Sequence, residues 1–456
     1  MSRNTPPCTR PGDRVLLINY DFPPGLSGVR RMVKLAKYLP AFGMDPVVLC
    51  ASPDERMPLD LEALREIEQQ NYAVTRTPSF DPYHVWNLTR KMPRILGRIR
   101  SVFDAAEPAT HEASAAAAGP VRRQSRISRT AGRAANYANQ LLAIPDDRVG
   151  WLPFAIPEAE ALLRRQAIRY VLTSSFPHST HLAGLYLKRR YRIKWIADFR
   201  DGWTQNPYFG AQGTPLHRKW STKLERAVVK NADAVTTVSE PIARHLRTIA
   251  GEHKVHVIPN GFDPDDFAKL EPIGFDKFTV AYTGTLFMQR SPENFFAAVR
   301  GLLDCYPGLN DNFQVVFRTK FKPEYEEAIV AMGLQHVIHN WGMGTYREAL
   351  QLQMSADALL VLEGEAPNSE IMLTQKIFEY LATGKPILAV APPGALATLV
   401  RQSGCGFVVP PENIFRIKET LFELFLGRTN FNRQTELIET FNRKAQAAEF
   451  ARIFRL

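Results

Sequence analysis

Residues 14–52, which read RVLLINYDFPPGLSGVRRMVKLAKYLPAFGMDPVVLCAS, decide the fold class. The apolar run RVLLI is bounded by turn residues, and DPVVLC is a second run of the same kind, so both predict buried strands. Between them, apolar residues recur at helical spacing from Val29 to Leu39, and Gly43 ends the pattern. A helix between two continuously apolar strands predicts a parallel sheet that helices cover on both faces.

The same alternation returns along most of the chain and predicts two α/β domains. After the first cycle come the strand candidates RYVLTSSFP, KWIADFRD, ADAVTTVSE and HKVHVIPNGFD, and a second cycle contains FTVAYTGTL, NFQVVFRT, ADALLVLEG and KPILAVAP. The expected limits are 1–265 for the N-terminal domain and 275–440 for the C-terminal domain, with a terminal helix over 441–456. Residues 78–147 break the pattern and are interpreted as a basic, partly flexible insertion.

Composition narrows the class of protein. The 45% hydrophobic and 23% charged residues are globular values. No run of 18 apolar residues occurs, and the first residues contain no apolar stretch typical of a signal peptide. The four cysteines lie far apart in the sequence, without a C-x-x-C pair. We therefore expect a cytoplasmic protein without a structural zinc site, with a peripheral position at the inner face of the cell membrane as a further expectation.

The net charge of +11 is concentrated in one stretch. Between Arg90 and Arg133 the chain carries ten Lys or Arg residues and only three acidic ones. Such a local patch indicates an anionic partner, and one hypothesis is contact with anionic lipid headgroups. The alternative is a solvated, disordered insertion. Nucleic acid is not expected as a partner, because no recognised binding module accompanies the charge.

Residues 374–386, TQKIFEYLATGKP, predict a helix whose N-terminus can hold an anion. Thr374 is the expected N-cap, and the helix N-terminus carries a partial positive charge that suits a diphosphate. Lys376 lies in the first turn and Glu379 three residues on, so the two side chains share a face. The pair offers a cation for phosphate and a carboxylate for ribose hydroxyls; the spacing fits a Lys–Glu surface pair equally well.

Seven segments in order resemble a GT-B glycosyltransferase of the family 4 type, especially the bacterial polysaccharide-assembly branch. They are NYDFPPGLSGVRRMVKLAKYLPAFG, SSFPHSTHLAGLYLKRR, WIADFRDGWTQNPY, LERAVVKNADAVTTVSEP, VHVIPNGFDPDDF, AYTGTLF and KIFEYLATGKPIL. The resemblance implies two Rossmann-like domains with parallel sheets facing a central cleft, a nucleotide sugar bound mainly by the C-terminal domain, and no required metal or other cofactor. It also implies transfer with retention and a terminal helix that crosses back to the N-terminal domain.

The resemblance assigns roles in the C-terminal domain residue by residue. Glu379 matches the glutamate that contacts the donor ribose and is also expected to act in catalysis. Where relatives often have a second glutamate, this chain has Ile371, and Glu370 is the adjacent candidate for a substitute.

The expected diphosphate site departs from the family pattern. After Gly284 many relatives have an arginine, and a lysine six residues later; here Thr285 and Ser291 occupy these positions. Arg290 is the first candidate for the missing charge. Other cations considered for it are Lys376, Arg318 and Lys320.

In the N-terminal domain, Gly28 at a loop-to-helix junction permits close approach to a phosphate, and Arg30 adds charge. The alternative for this pair is a surface turn with a solvated arginine. His178 follows a strand end, where open α/β sheets bind ligands, and it resembles the family histidine near the transferred sugar. His181 is the competitor for that role.

Asp198, Arg200 and Asp201 also follow a strand end and are interpreted as acceptor-binding residues, or as a buried ion pair that shapes the loop. Their D-x-x-D spacing differs from the metal-binding D-x-D of other glycosyltransferases, which argues against a metal site.

The sequence thus favours a sugar transfer from a nucleoside-diphosphate sugar to a glycan or lipid-linked acceptor in cell-surface polysaccharide synthesis. One alternative is an epimerase or hydrolase that acts on the nucleotide sugar alone. Another is a non-catalytic glycan-assembly partner, which Ile371 and Thr285 make credible. A dinucleotide oxidoreductase is disfavoured, since GLSGVR does not supply G-x-G-x-x-G.

Overall fold

A computed structural model describes most of the chain. The described residues are 13–25, 29–53, 59–70, 72–80, 143–206, 214–268, 270–286, 290–365, 369–371, 373–428 and 430–456. Contacts divide these residues into two compact units. The first unit takes the described residues up to 32, those within 43–235, and 249–254; the second takes 33–42, 236–248 and those from 255 onward. Most of the predicted insertion, including the stretch from Arg90 to Arg133, lies outside the described residues.

The first sheet has seven strands in the order β3-β2-β1-β4-β5-β6-β7. Its strands are β1 (Asp13–Ile18), β2 (Met44–Ala51), β3 (Ala73–Thr77), β4 (Tyr170–Ser175), β5 (Lys194–Phe199), β6 (Ala234–Thr237) and β7 (Val255–Val257). The helices of this part of the chain are α1 (Arg30–Tyr38), α2 (Leu61–Glu68), α3 (Leu152–Gln166), α4 (Thr180–Arg190), α5 (Pro215–Asn231) and α6 (Glu240–Ala250). Strand β1 pairs in parallel with both β2 and β4, so the strand order reverses at β1.

The second sheet has six strands in the order β10-β9-β8-β11-β12-β13. Its strands are β8 (Phe278–Thr283), β9 (Phe313–Arg318), β10 (Ile338–Asn340), β11 (Ala358–Leu362), β12 (Ile387–Val390) and β13 (Gly406–Val409). The helices that follow in the chain are α7 (Glu293–Cys305), α8 (Pro323–Ala331), α9 (Tyr346–Ser355), α10 (Lys376–Thr383), α11 (Ala395–Ser403), α12 (Ile414–Phe425), α13 (Thr435–Glu439) and α14 (Arg443–Arg455).

Side chains of the second sheet alternate between two separate apolar cores. In β8, Val280 and Tyr282 enter one core, and Ala281 enters the other. In β11, Leu360 belongs to the first core, and Leu359 belongs to the second. Successive side chains of a strand point to opposite faces, so both faces of this sheet are buried. The α/β fold with parallel sheets that the sequence predicts is confirmed.

Each sheet has one point where the strand order reverses, between β1 and β4 in the first and between β8 and β11 in the second. Open α/β sheets bind ligands outside the carboxyl ends of the strands at such a point. Two residues singled out in the sequence lie at these strand ends: Gly284 directly follows β8, and His178 lies three residues after β4. Glu363, which the sequence did not indicate, directly follows β11. Ligand binding is therefore expected at these strand ends.

A buried charge cluster holds the part of α1 from Val33 onward within the second unit. Lys34 Nζ lies 3.0 Å from Asp263 Oδ2, Lys37 Nζ donates to the same oxygen at 2.7 Å, and the Tyr38 hydroxyl donates to Asp263 Oδ1 at 2.6 Å. Burial acts to raise the pKa of Asp263, but the neighbouring lysines and the tyrosine hydrogen bond hold it down at about 2. Asp263 is therefore ionised and compensates the buried Lys34 charge.

Candidate active site

The carboxyl end of β8 and the first turn of α10 meet at Gly284 and Lys376. Gly284 has φ of +96°, a conformation that side chains disfavour, and a Cβ there would lie 3.0 Å from Lys376 Cε and Nζ. Lys376 is the first residue of α10, and its Nζ lies 3.9 Å from the ring centroid of Tyr282. Glycine is thus required at 284 both for the backbone turn and for the lysine beside it.

The amine of Lys376 is buried at the start of α10. Among the residues that the structure describes, its Nζ has no hydrogen-bond partner. Burial lowers the pKa of Lys376 to about 7, and the charge of Arg290 lowers it further, whereas Glu363 and Glu379 act in the opposite direction. A buried amine at a helix N-terminus that still lacks a hydrogen-bond acceptor is chemically suited to bind an anion.

Glu379 lies one turn along α10 and is held by two amides. Gln353 Nε2 donates to Glu379 Oε2 at 3.3 Å, and Gln375 Nε2 donates to Oε1 at 3.4 Å. Gln353 also donates to Thr283 Oγ1 at 2.9 Å, which connects the carboxylate to the end of β8. These contacts fix the orientation of Glu379 next to Lys376, as a carboxylate that recognises hydroxyl groups requires.

Arg290 lies close to this site, but its charge is engaged by a carboxylate. Its Nη2 donates to Glu363 Oε2 at 2.8 Å, and its Nε lies 3.2 Å from both oxygens of that group. Glu363 is buried and Arg290 nearly so. Arg290 therefore contributes to the local electrostatic field, while Lys376 offers the amine that has no hydrogen-bond partner in the described part of the second unit.

The predicted helix start at Thr374 is wrong by one residue. Gln375 occupies the cap position with helical backbone angles, and the carbonyl of Thr374 accepts from the Ile377 amide at 3.4 Å. The reason is the side chain of Gln375, which donates to the Gly261 carbonyl at 2.8 Å and accepts from Arg443 at 3.1 Å. These contacts hold residue 375 in helical conformation at the cap position, and among the described residues no side-chain hydrogen bond caps this helix start.

The remaining candidates of the second unit are Arg318, Lys320 and the residues at 370 and 371. Arg318 Nη2 contacts Glu348 Oε2 at 2.6 Å, and Lys320 is exposed. Ile371 is buried and its carbonyl accepts from Ser239 Oγ at 3.4 Å, whereas the neighbouring Glu370 is exposed. The side chain of Ile371 is therefore packed as a buried apolar residue.

In the first unit, His178 is a buried, neutral imidazole at the end of β4. Its ring stacks on Trp203 at 4.8 Å between centroids with an interplanar angle of 4°, and the Phe176 ring is perpendicular to it at 5.7 Å between centroids. Burial lowers the pKa of His178 well below 6.5, and the charges of His181 and Arg200 lower it further. Within the described ranges, its Nδ1 has no hydrogen-bond partner. The ring is thus able to hydrogen-bond a hydroxyl group without carrying charge.

His181 has a structural role instead. Its Nδ1 lies 2.8 Å from Thr173 Oγ1, and its ring stacks on Phe199 at 4.6 Å. Burial lowers its pKa to about 3, so this histidine is also neutral. Of the two histidines, the structure makes His181 part of the core and leaves His178 as the candidate.

Asp198 forms a buried ion pair with a residue that the sequence did not indicate. Arg31 donates to it through Nε at 3.0 Å and through Nη2 at 2.8 Å, and Ser174 Oγ donates to Asp198 Oδ2 at 2.8 Å. The Arg200 guanidinium contacts the Phe176 carbonyl at 3.3 Å and Asp201 at 3.6 Å. The structural alternative therefore describes Asp198, with Arg31 as its partner in place of Arg200.

Gly28 and Arg30 are the two residues that the sequence assigned to a phosphate in the N-terminal domain. Gly28 lies outside the described residues. Arg30 donates through Nη2 to Asp60 at 2.9 Å, and its Nη1 lies 3.5 Å from Glu66. Two carboxylates therefore surround the guanidinium that the sequence assigned to a phosphate.

Several residues that shape these sites escaped the sequence reasoning. They are Tyr282, Gln353, Glu363, Arg31 and Trp203. Tyr282 and Glu363 carried a signal, since each lies at the carboxyl end of a predicted strand next to the reversal point. Gln353, Arg31 and Trp203 act through contacts distant in sequence, which no local pattern indicates.

Two parallel sheets, each with one reversal point, define an α/β fold of the kind that binds ligands at the carboxyl ends of its strands. Comparison with known protein families gives a match for part of the chain. Residues 138–266 match the model of glycosyltransferase family 4, whereas no curated protein sequence matches the chain.

Solved structures share the fold of this chain over nearly its whole length. Sucrose-phosphate synthase from Thermosynechococcus elongatus superposes with a TM-score of 0.61 at 15% identity, over 97% of this chain and 98% of that one. A glycosyltransferase from Rickettsia africae gives 0.60 at 14% identity, again over 97% and 98%. TarM from S. aureus gives 0.58 at 7% identity, over 97% and 100%. Residues 138–266 thus resemble glycosyltransferase family 4, and the fold of the whole chain is the two-domain GT-B fold of glycosyltransferases.

Proposed function

We propose that the protein transfers a sugar, with retention of configuration, from a nucleoside-diphosphate sugar to a glycan or lipid-linked acceptor in cell-surface polysaccharide synthesis. One observation carries the donor assignment: the buried Lys376 amine, which lacks a hydrogen-bond partner in the described structure, lies beside Gly284 at the N-terminus of α10. A diphosphate oxygen supplies the hydrogen-bond acceptor that this amine lacks among the described residues.

The donor site follows from these contacts. Lys376 is expected to hold a phosphate oxygen, and the oriented carboxylate of Glu379 is expected to accept hydrogen bonds from ribose hydroxyls. Thr374 and Gly284 border the same helix start and strand end. TarM was crystallised with UDP, which supports a nucleoside diphosphate as the kind of molecule bound.

In the reaction, the bond between the sugar C1 and the diphosphate oxygen breaks, and C1 forms a bond to an acceptor hydroxyl oxygen, whose proton passes to the departing diphosphate. Negative charge grows on the departing diphosphate, where a fixed cation stabilises the transition state more than the ground state. We assign that stabilisation to Lys376 and the α10 N-terminus, and we expect no metal requirement. Full activity after treatment with a chelator is the expected result, and loss that added Mg²⁺ or Mn²⁺ restores would contradict it.

On the acceptor side, the neutral His178 is proposed to hydrogen-bond a sugar hydroxyl through its imidazole. Arg200 and Asp201 stay candidates for the acceptor, and Asp201 is the more exposed of the two. Arg31 and Ser174 engage both carboxylate oxygens of Asp198, so we propose that Asp198 shapes the loop and does not bind the acceptor directly. The protein is proposed to work at the cytoplasmic side of the membrane, with the stretch from Arg90 to Arg133 in contact with lipid.

A screen of UDP-, GDP- and ADP-sugars by thermal shift tests the donor assignment, because a ligand that binds the folded state raises its stability. A donor that raises the melting temperature of the wild type is expected to have little effect on Lys376→Met and its full effect on Lys444→Met, an exposed lysine in the same unit. Equal shifts in all three proteins would remove Lys376 from the site.

Product analysis distinguishes the alternatives. Consumption of donor without acceptor indicates an epimerase or hydrolase on the same fold. Donor binding with no hydrolysis and no transfer to any acceptor indicates a non-catalytic assembly partner. Transfer that depends on an added acceptor, with the anomeric configuration retained in the product, is the result expected here.

A further inference from the structure

Helix α5 (Pro215–Asn231) has an unusual solvent-facing surface. Five cations are exposed on it, and they are Arg218, Lys219, Lys223, Arg226 and Lys230. The single acidic residue of the helix, Glu225, is buried and accepts hydrogen bonds from Thr204 at 3.2 and 2.6 Å. Over its whole length, which the structure describes, α5 therefore presents positive charge alone to solvent.

The same surface exposes two large apolar side chains. Trp220 is 47% exposed and Leu216 is 36% exposed. At 3.6 residues per turn, Leu216, Trp220 and the lysines at 223 and 230 fall within roughly 80° of the helix circumference. The opposite face, with Ser221 and Val228, is buried, and α5 packs on α4. The apolar and basic stripe is thus a surface separate from the core contact.

The tryptophan and a lysine of this stripe also contact each other. Lys223 Nζ lies 4.9 Å from the ring centroid of Trp220, which is within cation–π range. Indole rings favour the boundary between headgroups and acyl chains, and neighbouring lysines favour anionic headgroups. An acidic protein or nucleic acid would complement the charge, but neither explains why the exposed stripe also contains Leu216 beside Trp220.

We infer that helix α5 docks on an anionic lipid surface, with Trp220 and Leu216 at the headgroup boundary and the lysines beside them on lipid phosphates. The inference deepens the proposed function, because a lipid-linked acceptor resides in such a surface. The docking itself requires neither donor nor turnover. Its failure is therefore distinguishable from failure of the glycosyl transfer.

Topology indicates which end of the first sheet approaches the lipid. Helix α5 follows the carboxyl end of β5 and precedes the start of β6, so its first turns lie toward the carboxyl edge of the sheet. Leu216 and Trp220 belong to these turns, and His178 follows β4 at the same edge. Docking through the start of α5 therefore brings that edge of the first unit toward the headgroups.

Vesicle flotation of the full chain tests the docking. Phosphatidylcholine vesicles with phosphatidylglycerol are expected to bind the protein, pure phosphatidylcholine vesicles to bind it weakly, and added salt to release it. Each basic side chain near an anionic surface contributes about fivefold in affinity, so Lys219→Gln with Lys223→Gln should lower the partition coefficient about 30-fold. The matched control is Arg189→Gln with Arg192→Gln, two exposed cations near the C-terminus of α4.

Tryptophan emission tests the position of the indole. Trp341, which is 41% exposed in the second unit, supplies the matched residue. Vesicles with phosphatidylglycerol should shift the emission of the wild type and of Trp341→Ala to shorter wavelength, and they should shift that of Trp220→Ala much less. Circular dichroism of each variant checks that the fold is retained.

Three results would overturn the inference. The first is an unchanged partition coefficient in the double lysine variant. The second is an equal loss in the double arginine control, which would indicate attraction by general charge. The third is tight binding of single-stranded DNA that depends on the same lysines, together with an emission shift in Trp220→Ala as large as that of the wild type.

Discussion

Replacing Lys376 by methionine should make the protein more stable and less active at once. Methionine has nearly the length of lysine and removes the buried charge that lacks a hydrogen-bond partner among the described residues. A folded-state pKa of about 7 against an ordinary 10.5 means that folding works against protonation of this amine. The site is thus expected to cost stability until an anion arrives.

The expected gain follows from that difference in pKa. Between about pH 7 and 10.5 the unfolded chain binds more protons at Lys376 than the folded one, so stability rises with pH across this window. The penalty removed by methionine is at most about 4 kcal/mol at pH 7 and about 2 kcal/mol at pH 9. Loss of the contact with the Tyr282 ring offsets about 1 kcal/mol of this gain.

Urea unfolding followed by circular dichroism at pH 7 and pH 9 measures both parts of the prediction. Lys376→Met should unfold at higher urea than the wild type at pH 7, by a margin that shrinks at pH 9, while Lys444→Met should match the wild type at both. Sugar transfer by Lys376→Met should fall at least 100-fold, the scale on which single charge-stabilising groups act in catalysis. A variant less stable than the wild type at pH 7, or a margin that does not shrink, would refute the electrostatic reasoning.

Three further changes probe the other contacts. Glu379→Ala should reduce kcat/KM for the donor at least tenfold with an unchanged circular dichroism spectrum, and near-normal rates would exclude a ribose contact. Asp198→Asn should lower the free energy of unfolding by about 3–5 kcal/mol, because it leaves the buried Arg31 charge without its carboxylate; a urea midpoint equal to the wild type would contradict this. Gly284→Ala should strain the positive φ by about 1–2 kcal/mol and displace Lys376, so donor affinity should drop in calorimetry; unchanged affinity would argue against the close approach.

Much of the fold was predictable because it depends on local pattern. The runs RVLLI, KWIADF and FTVAYT form strands as predicted, and the helical spacing from Val29 onward forms α1. The helix that contains Lys376 and Glu379 was predicted with an error of one residue at its start. That error came from Gln375, whose partners Gly261 and Arg443 lie 114 and 68 residues away in sequence.

The partners of the charged side chains were harder to predict than the helices and strands. The sequence analysis assigned Arg290 and Arg30 to phosphates. Arg290 lies beside Ser291, where relatives have a lysine, and Arg30 lies just after the Gly28 junction. In the structure Glu363 engages the first, and Asp60 and Glu66 engage the second. Conversely, Lys376 was one cation among several in the sequence, and only its burial and the absence of a hydrogen-bond acceptor among the described residues distinguish it.

The sequence by itself determined the class of protein: apolar periodicity fixed the alternation of strands and helices, and the order of seven segments indicated a GT-B glycosyltransferase. Tertiary structure decided which ionisable groups compensate one another, as Arg31 with Asp198 and Arg290 with Glu363. The physical reason is distance. Secondary structure follows from neighbours within a few residues, whereas the state of a buried charge depends on groups that folding brings close from far along the chain.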